Sequence, residues 1–268
     1  QYLSVKPVEV GKAPKVLPPV GTDAGTVLEG DITFDSLNYM TLPKGTTAQA
    51  NRGRAILMGG IYPETTSMET YSLISSSNSV KFGSLGSSAI AWGGAMGNST
   101  RSVTGGGNGQ IDTIEYVELT TLGNAADFGN LTVGRRHAGP LSNSTRGIWG
   151  GGYISPADAG TDSMDYVTIA STGNATDFGN LSGAAKSGTA TGSTTRAVFA
   201  LGNVAPVDVN TLEYVTIATL SDYTNFGDLP SGSYGRYNGS CSSNTRGIFA
   251  GGHYPTSVNI INYITIAS

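Results

Sequence analysis

The sequence predicts an all-β protein, a five-bladed β-propeller with four-stranded blades. Three short sequence marks recur in constant order every 45 to 50 residues, which is the length of a propeller blade. Only 13% of the residues are charged, while Gly, Ser, Thr and Asn are abundant. No segment has helical periodicity, so the composition indicates many short strands joined by tight turns.

The three marks define the repeat. The first is an arginine that opens a strand ending in glycines, as in TRGIWGGG; it recurs at Arg54, Arg101, Arg146, Arg196 and Arg246. The second is a tyrosine in an alternating strand, as in DYVTIAS; it recurs at Tyr71, Tyr116, Tyr166, Tyr214 and Tyr263. The third is a Phe-Gly-x-Leu tetrapeptide at 82 to 85, 128 to 131, 178 to 181 and 226 to 229, with a degenerate copy, FDSL, at 34 to 37. The repeat units therefore span about 34 to 80, 82 to 122, 128 to 172, 178 to 220 and 226 to 268.

Each repeat contains four predicted strands. The first follows a Phe-Gly-x-Leu mark, and a polar hairpin joins it to the second, the arginine strand, whose apolar run is typical of a strand buried on both faces. A variable loop leads to the third, the tyrosine strand, and a Gly-Asn turn leads to the fourth, which carries the next Phe-Gly-x-Leu mark. A solenoid of stacked sheets is the alternative architecture.

The two ends of the sequence predict how the ring closes. The last repeat stops at YITIAS, after its third strand, while DITFDSL at 31 to 37 precedes the first repeat. We expect residues 31 to 37 to supply the missing fourth strand of the last blade, which leaves no exposed sheet edge. Residues 1 to 30 contain four prolines, and we interpret them as an extended arm that docks on a partner; a disordered arm is the alternative.

The glycines, arginines and carboxylates that recur in the repeats are interpreted as architectural. Gly-Gly steps end each second strand, where glycine permits a bulge or a close backbone approach, and no phosphate-binding lysine follows them. Four repeats carry a carboxylate just before the tyrosine strand's aromatic mark: Glu69, Glu115, Asp165 and Glu213. Because an arginine binds a carboxylate through two parallel hydrogen bonds, we expect each repeated arginine to pair with the carboxylate of its own repeat. Trp149 takes the place of Phe199 and Phe249 and is predicted to be core.

No catalytic residue, metal site or cofactor is predicted. His137 and His253 fall in different blades, and Cys241 is the only cysteine, so neither a zinc site nor a Ser-His-Asp site has its companions. The net charge is -4 without any basic run, which argues against nucleic acid as a partner. No apolar stretch reaches the roughly 18 residues needed to cross a bilayer, so no membrane insertion is expected.

Binding is predicted in the loops that follow the glycines, because these loops vary between repeats and gather on one face of a propeller. The residues proposed for this loop face are Tyr62, Tyr153, Tyr254, His253 and Asp158. Tyrosine offers a flat apolar ring and a hydroxyl, which suit contacts to a sugar or a protein surface. Alternatively, these tyrosines cover the bases of their own loops, and Asp158 belongs to a solvated loop.

The repeat YVTIASTGNATDFGNL at 166 to 181, together with SNSTRGIWGGG, resembles the kelch-like repeats of virion structural proteins in tailed bacteriophages, especially marine and cyanobacterial phages (cyanophages). The resemblance covers about residues 31 to 268, and LPKGTTAQANRGRAI at 42 to 56 is similar to Thr-Thr-Ala junctions of phage tail fibres. The sequence lacks the late tryptophan of eukaryotic kelch repeats, which argues against a role as an actin-binding protein or ubiquitin-ligase adaptor.

The resemblance implies a non-enzymatic structural protein of the phage tail, tail fibre or head surface, located in the virion and assembled in the host cytoplasm. It implies several copies per particle, attachment to other virion proteins through residues 1 to 30, and host recognition through a surface glycan or protein. A free lectin-type propeller is the first alternative. A propeller glycosidase or oxidase is the second; the glycosidase would need an arginine cluster with acids and a nucleophilic tyrosine on the axis.

Overall fold

The computed structural model describes residues 33–34, 40–41, 54–61, 64–72, 78–86, 92–156, 159–230, 233, 236–253 and 256–266. All regular secondary structure in these residues is β-strand, which confirms the all-β prediction. The predicted docking arm, residues 1 to 30, lies outside the described residues.

The first described strands form a short pair and an antiparallel sheet. The pair is formed by β1 (Thr33–Phe34) and β2 (Met40–Thr41). The first sheet has the order β3-β4-β5 and consists of β3 (Arg54–Ile61), β4 (Glu64–Ser72) and β5 (Val80–Ser84). Each of these strands pairs with the next one along the chain.

The second and third sheets each have four core strands. The second consists of β6 (Gly94–Gly97), β7 (Arg101–Gly105), β8 (Thr113–Glu118) and β9 (Ala126–Asn130). Next come β10 (Arg135–Arg136), β11 (Gly139–Ser142), β12 (Arg146–Gly150), β13 (Tyr153–Ile154), β14 (Ala159–Thr168) and β15 (Thr176–Lys186). The third sheet runs β11-β12-β14-β15, and β13 pairs with both β10 and β14 at its end.

The fourth sheet repeats this order and the fifth is shorter. The strands that follow are β16 (Thr189–Gly192), β17 (Arg196–Ala200), β18 (Asn203–Val204), β19 (Val207–Asp208), β20 (Thr211–Thr216) and β21 (Thr224–Asp228). The fourth sheet is β16-β17-β20-β21, and β18 pairs with β15 and β19. The fifth sheet, β22-β23-β24, consists of β22 (Gly239–Ser242), β23 (Arg246–Ala250) and β24 (Ile261–Thr265).

Each repeat therefore contributes an antiparallel sheet, and in the second to fourth sheets the Phe-Gly-x-Leu mark lies on the fourth strand, as predicted. Neighbouring sheets contact each other through their first strands, β6 with β11, β11 with β16 and β16 with β22. The predicted core position of Trp149 is confirmed: its side chain is fully buried and its indole N–H donates to the carbonyl of Gly94 in the preceding sheet at 2.9 Å.

The three sequence marks form one stacked contact in the second, third and fourth sheets. The guanidinium of each repeated arginine lies 4.6 Å from the centre of the tyrosine ring in the next strand; the pairs are Arg101 with Tyr116, Arg146 with Tyr166 and Arg196 with Tyr214. The same tyrosine meets the edge of the phenylalanine in the fourth strand, at 5.7 to 6.1 Å between centroids. In the fifth sheet Arg246 covers Tyr263 in the same way.

The expected pairing of each arginine with the carboxylate of its own repeat is wrong. In the third sheet Arg146 lies opposite Thr168, and Asp165 lies opposite Trp149. Because residues directly opposite each other share a face and successive residues alternate, this register places Arg146 and Asp165 on opposite faces. The registers are equivalent for Arg54 and Glu69, for Arg101 and Glu115, and for Arg196 and Glu213.

The carboxylates join one sheet to the preceding one instead. Three of the four accept a hydrogen bond from the backbone N–H of the residue that follows a Phe-Gly-x-Leu mark: Gly86 to Glu115 at 3.0 Å, Thr132 to Asp165 at 2.9 Å, and Ser182 to Glu213 at 3.0 Å. The fifth repeat has Asn262 at the carboxylate position, and Pro230, which has no N–H, follows the corresponding mark. The junction between the fourth and fifth sheets therefore lacks both the backbone N–H donor and the carboxylate acceptor.

One of these junctions contains a fully buried ion pair. Arg135 and Asp165 have no exposed side-chain surface, and their charged atoms lie 3.1 Å apart. Nη1 of Arg135 donates to the carbonyls of Gly151 and Ser163 at 3.1 and 2.9 Å. Nη2 also donates to the hydroxyl of Ser163 at 2.9 Å and Nε to the carbonyl of Val133 at 3.3 Å, so all the guanidinium N–H groups have acceptors. Burial lowers the pKa of Arg135, while the charge of Asp165 and its hydrogen bond act in the opposite direction.

The first repeat departs from the others by one residue. In its register Glu69 lies opposite Leu57, as Asp165 lies opposite Trp149, so the equivalent of the repeated tyrosine is Thr70. The alignment of Tyr71 with the other tyrosines is therefore shifted by one position, which places its side chain on the other face of the sheet.

Residues two repeats apart come into contact where the sheets from the second to the fifth meet. The imidazole of His137 and the ring of Tyr237, two repeats apart, lie 5.3 Å apart between centroids. Among the described strands, β1 pairs with β2, and the outer edge of the fifth sheet ends at β24. The predicted pairing of residues 31 to 37 with the last sheet is thus not among these strand pairs.

Candidate functional site

The inner ends of four sheets converge on one cluster. Its central residues are Trp92, His137, Ser187 and Tyr237, which occupy the same position in successive repeats, just before the first strand of each sheet. All four have positive backbone φ angles, between 55° and 65°. This conformation is uncommon for residues other than glycine, and residues held in it are enriched at functional sites.

Backbone hydrogen bonds and ring contacts hold these four residues together. The N–H of His137 donates to the carbonyl of Trp92 at 2.9 Å, and that of Tyr237 donates to Ser187 at 3.1 Å. His137 is central: its ring lies 5.1 Å from Trp92, 5.3 Å from Tyr237 and 5.8 Å from Tyr153. The second, third and fifth repeats therefore contribute aromatic rings to one patch.

A cationic side chain stands immediately before three of the four central residues: Arg136, Lys186 and Arg236. The guanidinium of Arg136 lies 4.9 Å from the centre of Trp92 and 5.2 Å from that of Tyr153. The amine of Lys186 lies 5.5 Å from the centre of the same Tyr153 ring. Aromatic faces attract cations through their quadrupole, so these contacts hold positively charged side chains in place beside the rings.

The third cation is held differently. Arg236 lies 5.1 Å from the centre of Tyr237 and 3.5 Å from the carboxylate of Asp208, whose Oδ1 also accepts from Asn203 at 2.7 Å. The Nε of Arg236 and the Oδ1 of Asn238 are buried and have no hydrogen-bond partner within the described residues. The cluster therefore retains hydrogen-bonding capacity beside its charges.

Two tyrosine hydroxyls meet at the cluster, 3.3 Å apart. Burial raises the pKa of Tyr237, but the neighbouring polar groups of Ser187, Tyr153 and Arg236 and the charge of Arg236 outweigh burial, so its pKa is lowered. The pKa of Tyr153 is raised, first by burial and then by its hydrogen bond with Tyr237. Either hydroxyl can donate in this hydrogen bond.

We name this group the axial cluster: Trp92, Arg136, His137, Tyr153, Lys186, Ser187, Arg236 and Tyr237. Ser187 is buried, Tyr237 is exposed and the other members are half-buried. The cluster forms no group of three metal-ligating side chains within the described residues. Fixed cations beside aromatic rings and tyrosine hydroxyls can bind an anionic group and orient the surface that carries it.

The residues predicted for the loop face have different outcomes. Tyr153 belongs to the axial cluster. His253 is exposed and forms an isolated bridge with Ser257, and its backbone N–H donates to the carbonyl of Arg236 at 3.2 Å. Tyr62, Tyr254 and Asp158 lie outside the described residues, so their binding role stays a prediction.

Most of the axial cluster was missed by sequence reasoning, although the signal was present. The central residues stand nine positions, and the cations ten positions, before each repeated arginine. Because the cations are about fifty residues apart in sequence, no basic run appears along the chain. Alignment of the repeats by column, rather than a scan for local charge, would have found them.

Comparison with models of known protein families gives no match to this chain, and comparison with curated protein sequences gives none either. Within the part of the chain that the structure describes, no helix is long and apolar enough to cross a membrane. The assignment of function therefore depends on the repeats and on the axial cluster.

Proposed function

We propose that the five sheets are the blades of a closed β-propeller and that residues 31 to 37 complete the fifth blade. In the second to fourth sheets, the tyrosine strand pairs with a strand that carries Phe-Gly-x-Leu. In the fifth sheet the corresponding strand, β24, leaves Ile261 and Tyr263 exposed to 73% and 65%. The degenerate mark in 34 to 37 supplies Phe34 as the ring that would meet Tyr263.

The propeller, in our proposal, is a non-enzymatic structural and adhesion component of a phage particle. The repeat resemblance supports the phage assignment, and the buried contacts between successive sheets support a rigid scaffold. The axial cluster carries the adhesion part of the proposal, because four repeats position its charges and rings at a single place. Residues 1 to 30 anchor the chain to other virion proteins, and many copies convert weak contacts into useful avidity.

Two rivals make different demands on the structure. A free lectin would need equivalent sugar pockets between blades, whereas the axial cluster draws a different residue from each repeat. A glycosidase would need an axial tyrosine nucleophile, and the lowered pKa of Tyr237 beside Arg236 favours this candidate. It would also need a carboxylic acid to protonate the leaving group, and Asp208 is engaged by Arg236 and Asn203.

Cryo-electron microscopy of intact phage particles tests the proposal. We expect a five-bladed ring attached to the tail, fibre or head through residues 1 to 30. Deletion of those residues from the phage genome should give particles that lack the ring, while the Thr33→Ala substitution, as a control, should leave the ring in place. Particles without the chain in the parent phage would contradict a virion role and favour the free lectin.

A further inference from the structure

The axial cluster has the composition of a site for a specific class of ligand. Three cations from three successive repeats lie at equivalent positions, and two of them, Arg136 and Lys186, flank the ring of Tyr153. The third cation, Arg236, pairs with Asp208. The positive charge on Lys186 is positioned by the aromatic face of Tyr153. An anion that enters this cluster would meet charges that are already fixed in place, which reduces the entropic cost of binding.

The surroundings of the cations suggest what carries the anion. Tyr237 is 46% exposed, and its hydroxyl lies beside that of Tyr153. Trp92 is half-buried next to Arg136. Flat rings and hydroxyls next to cations match a sugar ring, which has an apolar face, several hydroxyls and, in acidic sugars, a carboxylate.

We propose that the axial cluster binds the carboxylate of an acidic saccharide, with Lys186, Arg136 and Arg236 contacting the anion and Tyr237 contacting the sugar hydroxyls. This inference rests on the proposed adhesion function and specifies its ligand class. An acidic peptide is the competing ligand, because it offers the same carboxylate without the sugar ring.

The test compares matched ligands on the full chain by isothermal titration calorimetry. The probes are tetragalacturonic acid, its methyl ester, which has the same sugar rings without the charges, and tetraglutamate, which has the carboxylates without the sugars. We expect tetragalacturonic acid to bind at least about tenfold more tightly than either of the other two, a difference of about 1.4 kcal/mol. Its affinity should fall as salt is added, because the contact is ionic.

Substitutions locate the binding site. Lys186→Gln should lower the affinity for tetragalacturonic acid about tenfold. Lys81→Gln, which removes an exposed lysine from β5, should leave the affinity for this ligand unchanged. Tyr237→Phe should weaken the acid and its methyl ester by the same factor, because it removes a hydroxyl and no charge. Thermal unfolding of each variant verifies that the fold is intact.

Several outcomes overturn the proposal. Equal affinity for the acid and its methyl ester would remove the role of the cations, and this comparison needs no variant. Equal affinity for tetraglutamate would replace the saccharide with a peptide. Equal losses in Lys186→Gln and Lys81→Gln would place the ligand elsewhere, and no binding at millimolar concentration would exclude the site. None of these results affects whether the chain is found in particles, so the two proposals fail independently.

Discussion

The third and fifth sheets have nearly the same strand sequences but different environments. The strand RGIWG of β12 is buried from Gly147 to Gly150, whereas RGIFA of β23 alternates between buried and partly exposed residues. The tyrosine strand β14 buries Asp165 and Val167, whereas every residue of β24 is exposed or half-buried. The third sheet packs between two neighbours, and among the described strands the fifth packs against one. Burial in this fold is therefore set by the neighbouring sheet.

The largest expected effect concerns the carboxylate position, which is Asp165 in the third sheet and Asn262 in the fifth. Asp165→Asn leaves Arg135 charged and buried without its partner, and we expect the free energy of unfolding to fall by about 3 to 5 kcal/mol. Asn262→Asp, the reverse change at the equivalent position of the fifth sheet, should alter it by no more than about 0.5 kcal/mol. Urea denaturation measures both values, and equal effects would contradict the difference between the sheets.

A second pair of variants tests the contact between a fourth strand and the following repeat. Gly179 and Gly227 have similar φ angles, 142° and 128°. A Cβ at Gly179 would overlap the carbonyl of Ser221, whereas a Cβ at Gly227 would meet no atom within 4 Å. Gly179→Ala should therefore destabilise the protein by about 1 to 3 kcal/mol more than Gly227→Ala.

Backbone strain is common to both alanine variants, so their difference in thermal unfolding isolates the overlap with the next repeat. If Gly227→Ala proved as damaging as Gly179→Ala, then Gly227 would also face another segment in solution. Residues of the proposed closing strand would be the first candidates.

The repeated arginines offer a smaller contrast. Arg146 and Arg246 stack on their tyrosines at the same distance, but Arg146 also donates to the carbonyl of Ile217 in the fourth sheet at 2.7 Å. Arg146→Gln should therefore destabilise the protein by about 1.5 kcal/mol more than Arg246→Gln, the value of one charge-assisted hydrogen bond. Chemical denaturation checks this, and equal costs would show that the stacking contact dominates.

The smallest effect concerns Tyr237, through which the fifth repeat joins the axial cluster. Because its pKa is lowered, we expect it to ionise before an ordinary tyrosine in a titration of tyrosinate absorbance. Tyr237→Phe should remove this early step, and Tyr71→Phe should not.

The lowered pKa of Tyr237 also makes the stability of the folded protein depend on pH in a known direction. The contribution of Tyr237 to the free energy of unfolding rises as the pH increases from its lowered pKa towards the ordinary value of about 10. Above that value the raised pKa of Tyr153 opposes it, because the folded state then resists ionisation of Tyr153. An early step that persists in Tyr237→Phe would assign the lowered pKa to another residue.

Much of the fold could be predicted from the sequence, because each repeat is a local unit. The marks at Arg146, Tyr166 and Phe178 fall on three successive strands of one sheet and contact each other in order. The positive φ of Gly151 likewise accounts for a glycine directly after the second strand. Chain-local periodicity was sufficient for these features.

The features that were missed depend on register and on contacts between repeats. Asp165 was expected to face Arg146, but strand register places it on the other face, where it accepts from Thr132 of the preceding junction. The axial cluster was missed because Arg136 and Arg236 meet the aromatic patch only after the sheets have curled. Such contacts can be predicted from a sequence only after its repeats are aligned and the geometry of the sheets is known.

Hydrogen exchange of β24, followed by NMR, is the most direct test of the proposed closed ring. If residues 31 to 37 pair with β24, the β24 amides that are not bonded to β23 should exchange slowly in the parent chain. Thr33→Pro, which removes an N–H from the closing strand, should make them exchange quickly, and Thr33→Ala should not. Fast exchange of these amides in the parent chain, unchanged by Thr33→Pro, would show that the fifth sheet ends at β24 and that the ring is not closed by this strand.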